Sequence, residues 1–312
     1  MNPKFIVTVD TETFRVGGQL LPFSTHHYAD LAEGSFGVQR IMDICDQYAA
    51  KATFFVDVYM HHKYGETQVA ELCQRIHKCG HDVQLHCHPS WLPIQPAQLI
   101  CDFPLDRQIE VLAEGKKLIE KWIGKSPVGF RAGAYGANLD TLRALRINGF
   151  QIDSSYFPLN PNCRLNQQLD GRFGNRTFSA EGILEIPVTT YWLWRHRKNS
   201  KIDLNACSWA ELHSVVPQFA HSSVEYVVLF LHSFSFVQWD RNGSNIAPKR
   251  GPLKRFEALL KMVREQLEGG FITIEEISRT LAPESDSLPD FVPALSPLHL
   301  VPRVLTRLLE SS

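Results

Sequence analysis

The chain lacks several features that mark whole classes of protein. Of its 312 residues, 32 are lysine or arginine and 33 are aspartate or glutamate, so the formal net charge is -1. This balance, with no long run of like charge, argues against a nucleic acid as partner, because such binding depends on phosphate neutralisation. No stretch of about 18 or more apolar residues is present, so we expect no transmembrane helix.

Paired cysteines are also missing. There are seven cysteines, an odd number, and no two of them form a C-x-x-C pair. This usage argues against a disulfide framework or a thiolate zinc knuckle and favours a reducing compartment. The N-terminal MNPKFIVTVD has neither a long apolar core nor a small-residue cleavage site. We therefore expect a cytoplasmic protein without a secretory signal.

What the chain does have is an alternation of strand and helix patterns. Apolar residues make up 44% of it, enough to bury a sizeable core. Apolar runs such as KFIVTVDTE and KATFFVDVYM predict strands, and GILEIPVTTYWLW is interpreted as one more. Amphipathic segments such as DRQIEVLAEGKKLIEKWIG predict helices, this one ending at Gly124. The alternation predicts a distorted (β/α) barrel of mostly parallel strands with outer helices over residues 1–281, with a loop at 158–182.

Residues 282–312 differ in composition from the rest. The first part is proline-rich, whereas LVPRVLTRLLESS could form a short amphipathic helix. We expect this helix to pack on the barrel or on a second subunit, which leaves a homo-oligomer open. This segment contains only two arginines, which is weak support for attachment to a membrane surface.

Chemically active side chains follow the ends of the predicted strands, where α/β folds place their functional residues. One such residue could be accidental, but acid, imidazole and guanidinium at successive strand ends predict an active site. The residues are Asp10, Glu12, His86, His88, Arg131, Asp153 and His232.

The stretch GHDVQLHCHPSW suggests what that site binds. His86 and His88 are two positions apart in a predicted strand, so they share a face about 6.5–7 Å apart along the chain. With a carboxylate from Asp10 or Glu12 they would form a three-ligand site that leaves a fourth position for water, the pattern of catalytic zinc. Packed or solvated histidines are the alternative, and the choice between the two carboxylates stays open.

Other polar and aromatic residues are assigned more simply. His81 is interpreted as a helix-exit residue, and the histidines at 26, 27, 61, 62 and 77 as surface or loop residues. The pattern fits two roles equally well for three aromatic residues, which are either core residues or rings that stack on a sugar. These residues are Tyr191, Trp192 and Trp194. The candidate substrate contacts are Tyr135, Asp153, Trp192 and Trp194.

The order of these motifs resembles the polysaccharide deacetylases of the NodB-homology type, carbohydrate esterase family 4. The resemblance covers about residues 4–281. It is carried by the segments VTVDTE, KATFF, GHDVQLH, FRAGAYG, LFLH and GGFITIEEI.

This resemblance implies a distorted barrel that binds a divalent metal, usually zinc, and hydrolyses an N-acetyl or O-acetyl group on a sugar. It implies that Asp10 is the general base, that Arg131 orients Asp10, and that His232 protonates the leaving group. Glu12, His86 and His88 would then hold the metal, with Asp10 as a further possible ligand.

The chain departs from the family pattern at three positions. The second aspartate of the family's pair falls at Thr11, the usual i, i+4 histidine falls at Ser90, and a usual proline falls at Gly133. His88 would therefore substitute for the missing histidine. These changes resemble a divergent branch of deacetylase-like proteins encoded among cell-envelope polysaccharide genes, which implies a lipopolysaccharide, capsule or related precursor as substrate.

Two other functions are compatible with the same residues. One is a metal-dependent amidohydrolase acting on a small non-sugar amide. The other is a catalytically inactive domain that binds a glycan or a partner, which Thr11 and Ser90 favour. The presence of Asp10, Arg131 and His232 together argues against the inactive domain.

Overall fold

The computed structural model describes residues 2–94, 96–158, 160–169, 174–193, 199–243, 245–267, 270–280 and 290–295. The strands in chain order are β1 (Lys4–Thr11), β2 (Arg15–Val16), β3 (Gln19–Leu20), β4 (Asp30–Leu31), β5 (Gly34–Ser35), β6 (Ala52–Asp57), β7 (Asp82–Cys87), β8 (Gly129–Ala132), β9 (Ile152–Asp153), β10 (Phe178–Ala180), β11 (Ile183–Glu185), β12 (Thr190–Trp192), β13 (Asn199–Lys201), β14 (Tyr226–His232), β15 (Val237–Trp239) and β16 (Ile246–Pro248). The helices are α1 (Phe23–His27), α2 (Val38–Gln47), α3 (His61–Tyr64), α4 (Glu66–Lys78), α5 (Leu105–Ile123), α6 (Leu139–Ile147), α7 (Arg164–Gln168), α8 (Trp209–Val215), α9 (Arg250–Gln266) and α10 (Ile274–Ser278). Within the part of the chain that the structure describes, no helix has the length and apolar character needed to cross a membrane.

Eight strands form one curled sheet, in the order β10-β11-β9-β8-β7-β6-β1-β14. All neighbouring pairs are parallel except β10 with β11. Helices surround this half-barrel, so the predicted (β/α) fold class is confirmed. Because the seven strands of this sheet other than β10 run in one direction, their carboxyl ends meet at a single edge.

The two faces of the sheet bury different apolar layers. The outer face contributes residues such as Val7 and Val9 to a large core shared with the surrounding helices. The inner face carries a smaller cluster, closed at one end by α10. Its members are Ile6, Phe55, Ile152, Ile186, Val228, Ile274 and Ile277. The inner layer fills the base of the half-barrel, and polar residues occupy the same face towards the carboxyl ends of the strands.

Strand register decides which side chains share that edge. Asp10 lies opposite His232 on β14, Asp57 lies opposite His86, and His86 lies opposite Arg131. Residues in register on parallel strands point to the same face. The sheet therefore gathers on one face groups that are more than 200 residues apart in the chain.

Several local predictions can be compared with the elements. Helix α5 ends as expected, with Gly124 in the left-handed region at φ 71° and its N–H bonded to the carbonyl of Glu120. The single strand predicted over GILEIPVTTYWLW is wrong, because β11 and β12 belong to different sheets. Pro187 lies between them and lacks the N–H that a continuous strand would use. The loop predicted at 158–182 contains α7 and β10.

Part of the proline-rich extension contacts β12. The N–H of Trp192 donates to the carbonyl of Pro293 at 2.8 Å, and the N–H of Leu295 donates to the carbonyl of Trp192 at 2.8 Å. The amide of Asn175 also donates to the carbonyl of Phe291 at 3.0 Å. The helix predicted within LVPRVLTRLLESS lies outside the described residues.

Candidate metal and active site

Three potential ligands converge at the carboxyl ends of β1 and β7. Nε2 of His86 is 3.1 Å from Oε2 of Glu12, and Nε2 of His88 contacts the same oxygen. The ligand atoms of the three residues all lie within 4.8 Å of one another. Nδ1 of His86 is 2.8 Å from the carbonyl of Arg131, so Nδ1 carries the proton and Nε2 faces Glu12. Two imidazoles and one carboxylate are a donor set that zinc accepts.

Glu12 and His88 strongly affect each other's pKa. Burial by itself would raise the pKa of Glu12, but His88 and His86 outweigh burial and hold that pKa well below its ordinary value. Burial would lower the pKa of His88, but the carboxylate of Glu12 raises it to about 9. Glu12 is therefore ionised and oriented by the two imidazoles that face it.

Asp10 and Arg131 form a buried ion pair beside the cluster. NH1 of Arg131 donates to Oδ1 of Asp10 at 2.8 Å, and the Arg131 side chain is fully buried. The guanidinium makes three further hydrogen bonds. NH1 donates to Oγ1 of Thr8, and Nε and NH2 donate to the carbonyl and Oγ of Ser154. The ring of Phe55 lies 4.4 Å from the guanidinium carbon. Arg131 is thus locked in place with one edge directed at Asp10.

This pairing decides the charge of Asp10. Burial raises its pKa, but Arg131, with help from His86 and His232, outweighs burial and lowers it. Asp10 is therefore a carboxylate at neutral pH, held in a low-dielectric site by one fixed cation.

His232, at the end of β14, faces the other carboxylate oxygen of Glu12. Its Nε2 is 3.5 Å from Oε1 of Glu12, and its ring stacks on Phe234 with an interplanar angle of 14°. The backbone N–H of His232 donates to Oγ of Ser235, which fixes the strand end. Burial lowers the pKa of His232, although Glu12 opposes this effect.

A lysine that the sequence pattern did not indicate, Lys201, also lies near the carboxyl edge of the sheet. Nζ of Lys201 donates to the hydroxyl of Tyr135 at 2.8 Å, lies 3.2 Å from Oδ2 of Asp203, and lies 3.2 Å from the ring centre of Phe230. The Lys201 side chain is only 18% exposed. Lys201 belongs to the β12–β13 hairpin, and no motif around NSK indicated it.

Tyr135 is held in an uncommon backbone conformation. Its φ is 63°, and Ala134 before it has φ 50°. Two consecutive non-glycine residues in the left-handed region are a local strain of the kind found at functional sites. Burial raises the pKa of Tyr135 to about 12, so its hydroxyl keeps its proton.

Asp57 is a second residue that the sequence analysis missed. It ends β6, is fully buried, and accepts a hydrogen bond from the N–H of Tyr59 at 3.2 Å. Burial raises its pKa to about 6, with His88 and His86 acting in the opposite direction. The strand-end rule that selected Asp10 would have selected Asp57 as well.

The structure does not bring every candidate substrate contact to this edge. Asp153 is paired with Glu185 on the outer face of the sheet, and it accepts from Oγ of Ser155 at 2.6 Å. Its neighbour Ser154 is the residue that faces Arg131. Trp192 lies in the β12–β13 hairpin that carries Lys201, and Trp194 lies outside the described residues.

The three departures from the family pattern have separate structural settings. Thr11 is fully buried and its hydroxyl donates to the carbonyl of Val9, so it faces away from Asp10 and Glu12. Ser90 is exposed in the turn Pro89–Trp91. Gly133 packs against the ring of His88, with no room for a side chain between them.

The interpretation of His26 and His27 as surface or loop residues is wrong. Both are in α1 and fully buried, with the ring of Phe23 tilted against His27 and Trp239 near His26. Burial lowers the pKa of His26 to about 4 and that of His27 to about 3. Both rings are neutral and act as core residues. His81 is also buried, and its Nδ1 accepts from the N–H of Ala52.

Sequence comparisons find matches for part of the chain. Residues 30–152 match the family model for polysaccharide deacetylases, a segment that contains His86, His88 and Arg131. The peptidoglycan deacetylase-like protein FGM2 of Gibberella zeae is 31% identical over 132 residues, which are 41% of this chain and 35% of that protein. The chain thus spans about a third of the length of this curated relative.

Structural comparisons extend over nearly the whole chain. A candidate polysaccharide deacetylase from Mycobacterium smegmatis aligns with a TM-score of 0.56 and 17% identity, covering 93% of this chain and 95% of that one. A 4-alpha-glucanotransferase from Thermococcus litoralis aligns with the same TM-score at 11% identity, covering 95% of this chain and 42% of that one. Such identities show the fold alone, and two different reactions share it. Residues 30–152 thus match the polysaccharide deacetylase family model, and they lie in a half-barrel whose fold this chain shares with the Mycobacterium smegmatis structure.

Proposed function

We propose that this protein is a metal-dependent hydrolase that removes an acetyl group from an N- or O-acetylated sugar of a cell-envelope polysaccharide or lipopolysaccharide precursor. The observation that carries the proposal is the convergence of His86 and His88 on one oxygen of Glu12, next to the Asp10–Arg131 pair. The family match supplies the acetylated carbohydrate as substrate class.

The residues fit a divalent metal, most simply zinc. Glu12, His86 and His88 would hold it, because their ligand atoms already lie within 4.8 Å of one another. When bound, a divalent cation supplies Lewis-acid polarisation of a carbonyl and a water molecule of lowered pKa. Cobalt, nickel and manganese accept the same donors, so the choice of zinc rests on donor type alone.

Asp10 is the group we assign as general base. Arg131 keeps it ionised, and the locked guanidinium leaves its second oxygen, Oδ2, for another donor. In hydrolysis Oδ2 would accept a proton from the water that attacks the acetyl carbon. Arg131 is a positioning residue in this scheme, since its four hydrogen bonds go to Asp10, Thr8 and Ser154.

His232 is the group we assign as proton donor to the leaving amine or alkoxide. Burial lowers its pKa, which makes the protonated ring a stronger acid towards a departing group. Its stacking on Phe234 and the bond from its own N–H to Ser235 fix the direction of Nε2. Together with Asp10 it would place an acid and a base on either side of Glu12.

Tyr135 is the group we assign to the carbonyl oxygen of the acetyl group. An ammonium group has donors only, so the Tyr135 oxygen accepts from Lys201 and its own proton is available to another acceptor. Accepting from a cation polarises the hydroxyl and strengthens it as a donor. Such a donor stabilises negative charge that develops on the carbonyl oxygen.

Acetate release, measured together with metal content, tests the proposal. We expect the zinc-loaded protein to release acetate from N-acetylated or O-acetylated oligosaccharides. Glu12→Gln and the double variant His86→Ala, His88→Ala should lose both the strand-end metal and turnover, whereas His77→Ala on α4 should keep both. A fully metal-loaded protein that releases no acetate from either class of sugar would overturn the proposal. Turnover unchanged in the double variant would overturn the assignment of the ligands.

A further inference from the structure

A second group of potential metal ligands lies on the helical layer, apart from the strand-end cluster. His61 and His62 begin α3, and Glu114 lies on α5. Their ligand atoms all lie within 4.8 Å of one another. The two imidazole rings have centroids 3.9 Å apart, and Nε2 of His62 is 3.8 Å from Oε1 of Glu114. None of these residues takes part in the proposed deacetylation.

Each histidine presents a nitrogen lone pair. Nδ1 of His61 is 2.9 Å from the carbonyl of Val58, and a carbonyl only accepts, so Nδ1 carries the proton and Nε2 is free to bind a cation. This arrangement is the one usually found for metal-binding histidines, where a carbonyl fixes the tautomer. Nε2 of His62 is buried and has no hydrogen-bond partner among the described residues. Burial also lowers the pKa of His62, which favours the neutral, ligating form.

The spacing suits an ion better than a direct bond. At 3.8 Å, His62 and Glu114 are too far apart for a hydrogen bond. Donor atoms around a tetrahedral zinc with bonds of about 2.0–2.1 Å lie ~3.4 Å apart, so a shift of a few tenths of an ångström at this pair would suffice. Glu114 is 44% exposed and lines a surface groove with Glu110 and Lys117, so an ion can reach it from solvent.

We propose that His61, His62 and Glu114 form a second divalent metal site, with zinc as the preferred ion and water completing the coordination. The ion would join α3 to α5. Helix α3 follows the turn Val58–Met60 and therefore Asp57, which lies beside the strand-end cluster. Occupation of the outer site would thus anchor the segment that leads from β6 to α4. This proposal does not depend on the proposed function.

Metal titration of the full chain tests it, once the strand-end site has been disabled. In the background His86→Ala, His88→Ala we expect about one zinc per chain by calorimetry, and a visible absorption band with cobalt that reports nitrogen and oxygen coordination. Adding His61→Ala or Glu114→Gln should weaken zinc binding more than about tenfold. The matched controls are Lys117→Gln in the same groove and His77→Ala on α4, and both should bind as the background does. The melting temperature of the background should rise with zinc, and this rise should be smaller with Glu114→Gln at the same zinc concentration.

The outcomes separate the two sites. Two ions in the wild type and one in the background support both. One ion in the wild type and none in the background overturns the outer site and leaves the strand-end site standing. If the wild type and the background each bind one ion, and Glu114→Gln weakens that binding, the outer site is supported. The proposed deacetylase would then have no metal at the strand-end cluster. Binding in the background that Glu114→Gln and His61→Ala do not weaken also overturns the outer site.

Discussion

Gly133 and the imidazole of His88 are in direct contact across the β7–β8 edge. A Cβ at position 133 would lie 2.6 Å from Nδ1 and 2.7 Å from Cε1 of His88. Real Cβ contacts are essentially never shorter than 3.0 Å. The absence of a side chain at position 133 therefore leaves the space that the ring of His88 occupies.

The first prediction is that Gly133→Ala disrupts the proposed strand-end metal site. The added methyl group would push His88 away from Glu12, and we expect the zinc affinity of that site to fall more than about tenfold. Gly136→Ala is the matched control, since its Cβ would meet Leu99 at 2.7 Å in the same loop without touching His88. The comparison is made by zinc titration of folded protein. Equal losses in the two variants would mean that loop strain, and not the position of His88, controls the site.

The second prediction concerns the buried pair Asp10–Arg131. Arg131→Met removes the cation that keeps Asp10 charged, and we expect a loss of about 3–5 kcal/mol in the free energy of unfolding. Adding Asp10→Asn removes the buried carboxylate that has lost its partner, so the double variant should regain part of the lost stability. Urea unfolding at neutral pH measures both changes. If the two losses simply add, the pair contributes nothing through its charges.

The third prediction is that Lys201 acts through Tyr135. Tyr135→Phe removes the hydroxyl that we assign to the acetyl oxygen, and we expect kcat for acetate release to fall by about 10²-fold with little change in KM. Lys201→Met should lower kcat less, and it should add almost nothing in the Tyr135→Phe background. Steady-state kinetics of the two single variants and the double variant test this. A further large loss from Lys201→Met in that background would assign Lys201 a role of its own.

The fourth prediction is that Glu185→Gln stabilises the protein more at high pH than at low pH. Burial raises the pKa of Asp153 and of Glu185, and the negative charge of Asp153 raises that of Glu185 further. A raised carboxyl pKa favours the protonated folded state. The wild type therefore loses stability as pH rises above the ordinary carboxyl values of 3.8 and 4.5 towards the folded values.

Glutamine at 185 can still accept from the N–H of Tyr156 and can also donate to Asp153 without ionising. The gain in melting temperature over wild type should therefore be larger at pH 8 than at pH 5. Arg143→Gln, an exposed change on α6, should show no such trend. A gain that is the same at both pH values would contradict a protonated carboxyl pair.

The sequence by itself determined the strand–helix alternation, the parallel sheet and the placement of Glu12, His86, His88, Arg131 and His232 at its carboxyl edge. These follow from local hydrophobic periodicity and from the rule that parallel strands end together. Local pattern also located the end of α5, because a glycine in the left-handed region is a local requirement.

Only the tertiary structure decided which face each strand-end residue takes. Ser154 faces Arg131 while Asp153 faces Glu185, because a strand's side chains alternate and the pairing register selects the inner set. Asp10 and Glu12 belong to the same face, but Asp10 lies within β1 and pairs with Arg131, whereas Glu12 follows the end of β1 and contacts His86 and His88. Lys201 comes to Tyr135 from a hairpin 66 residues away, a contact that no local pattern encodes.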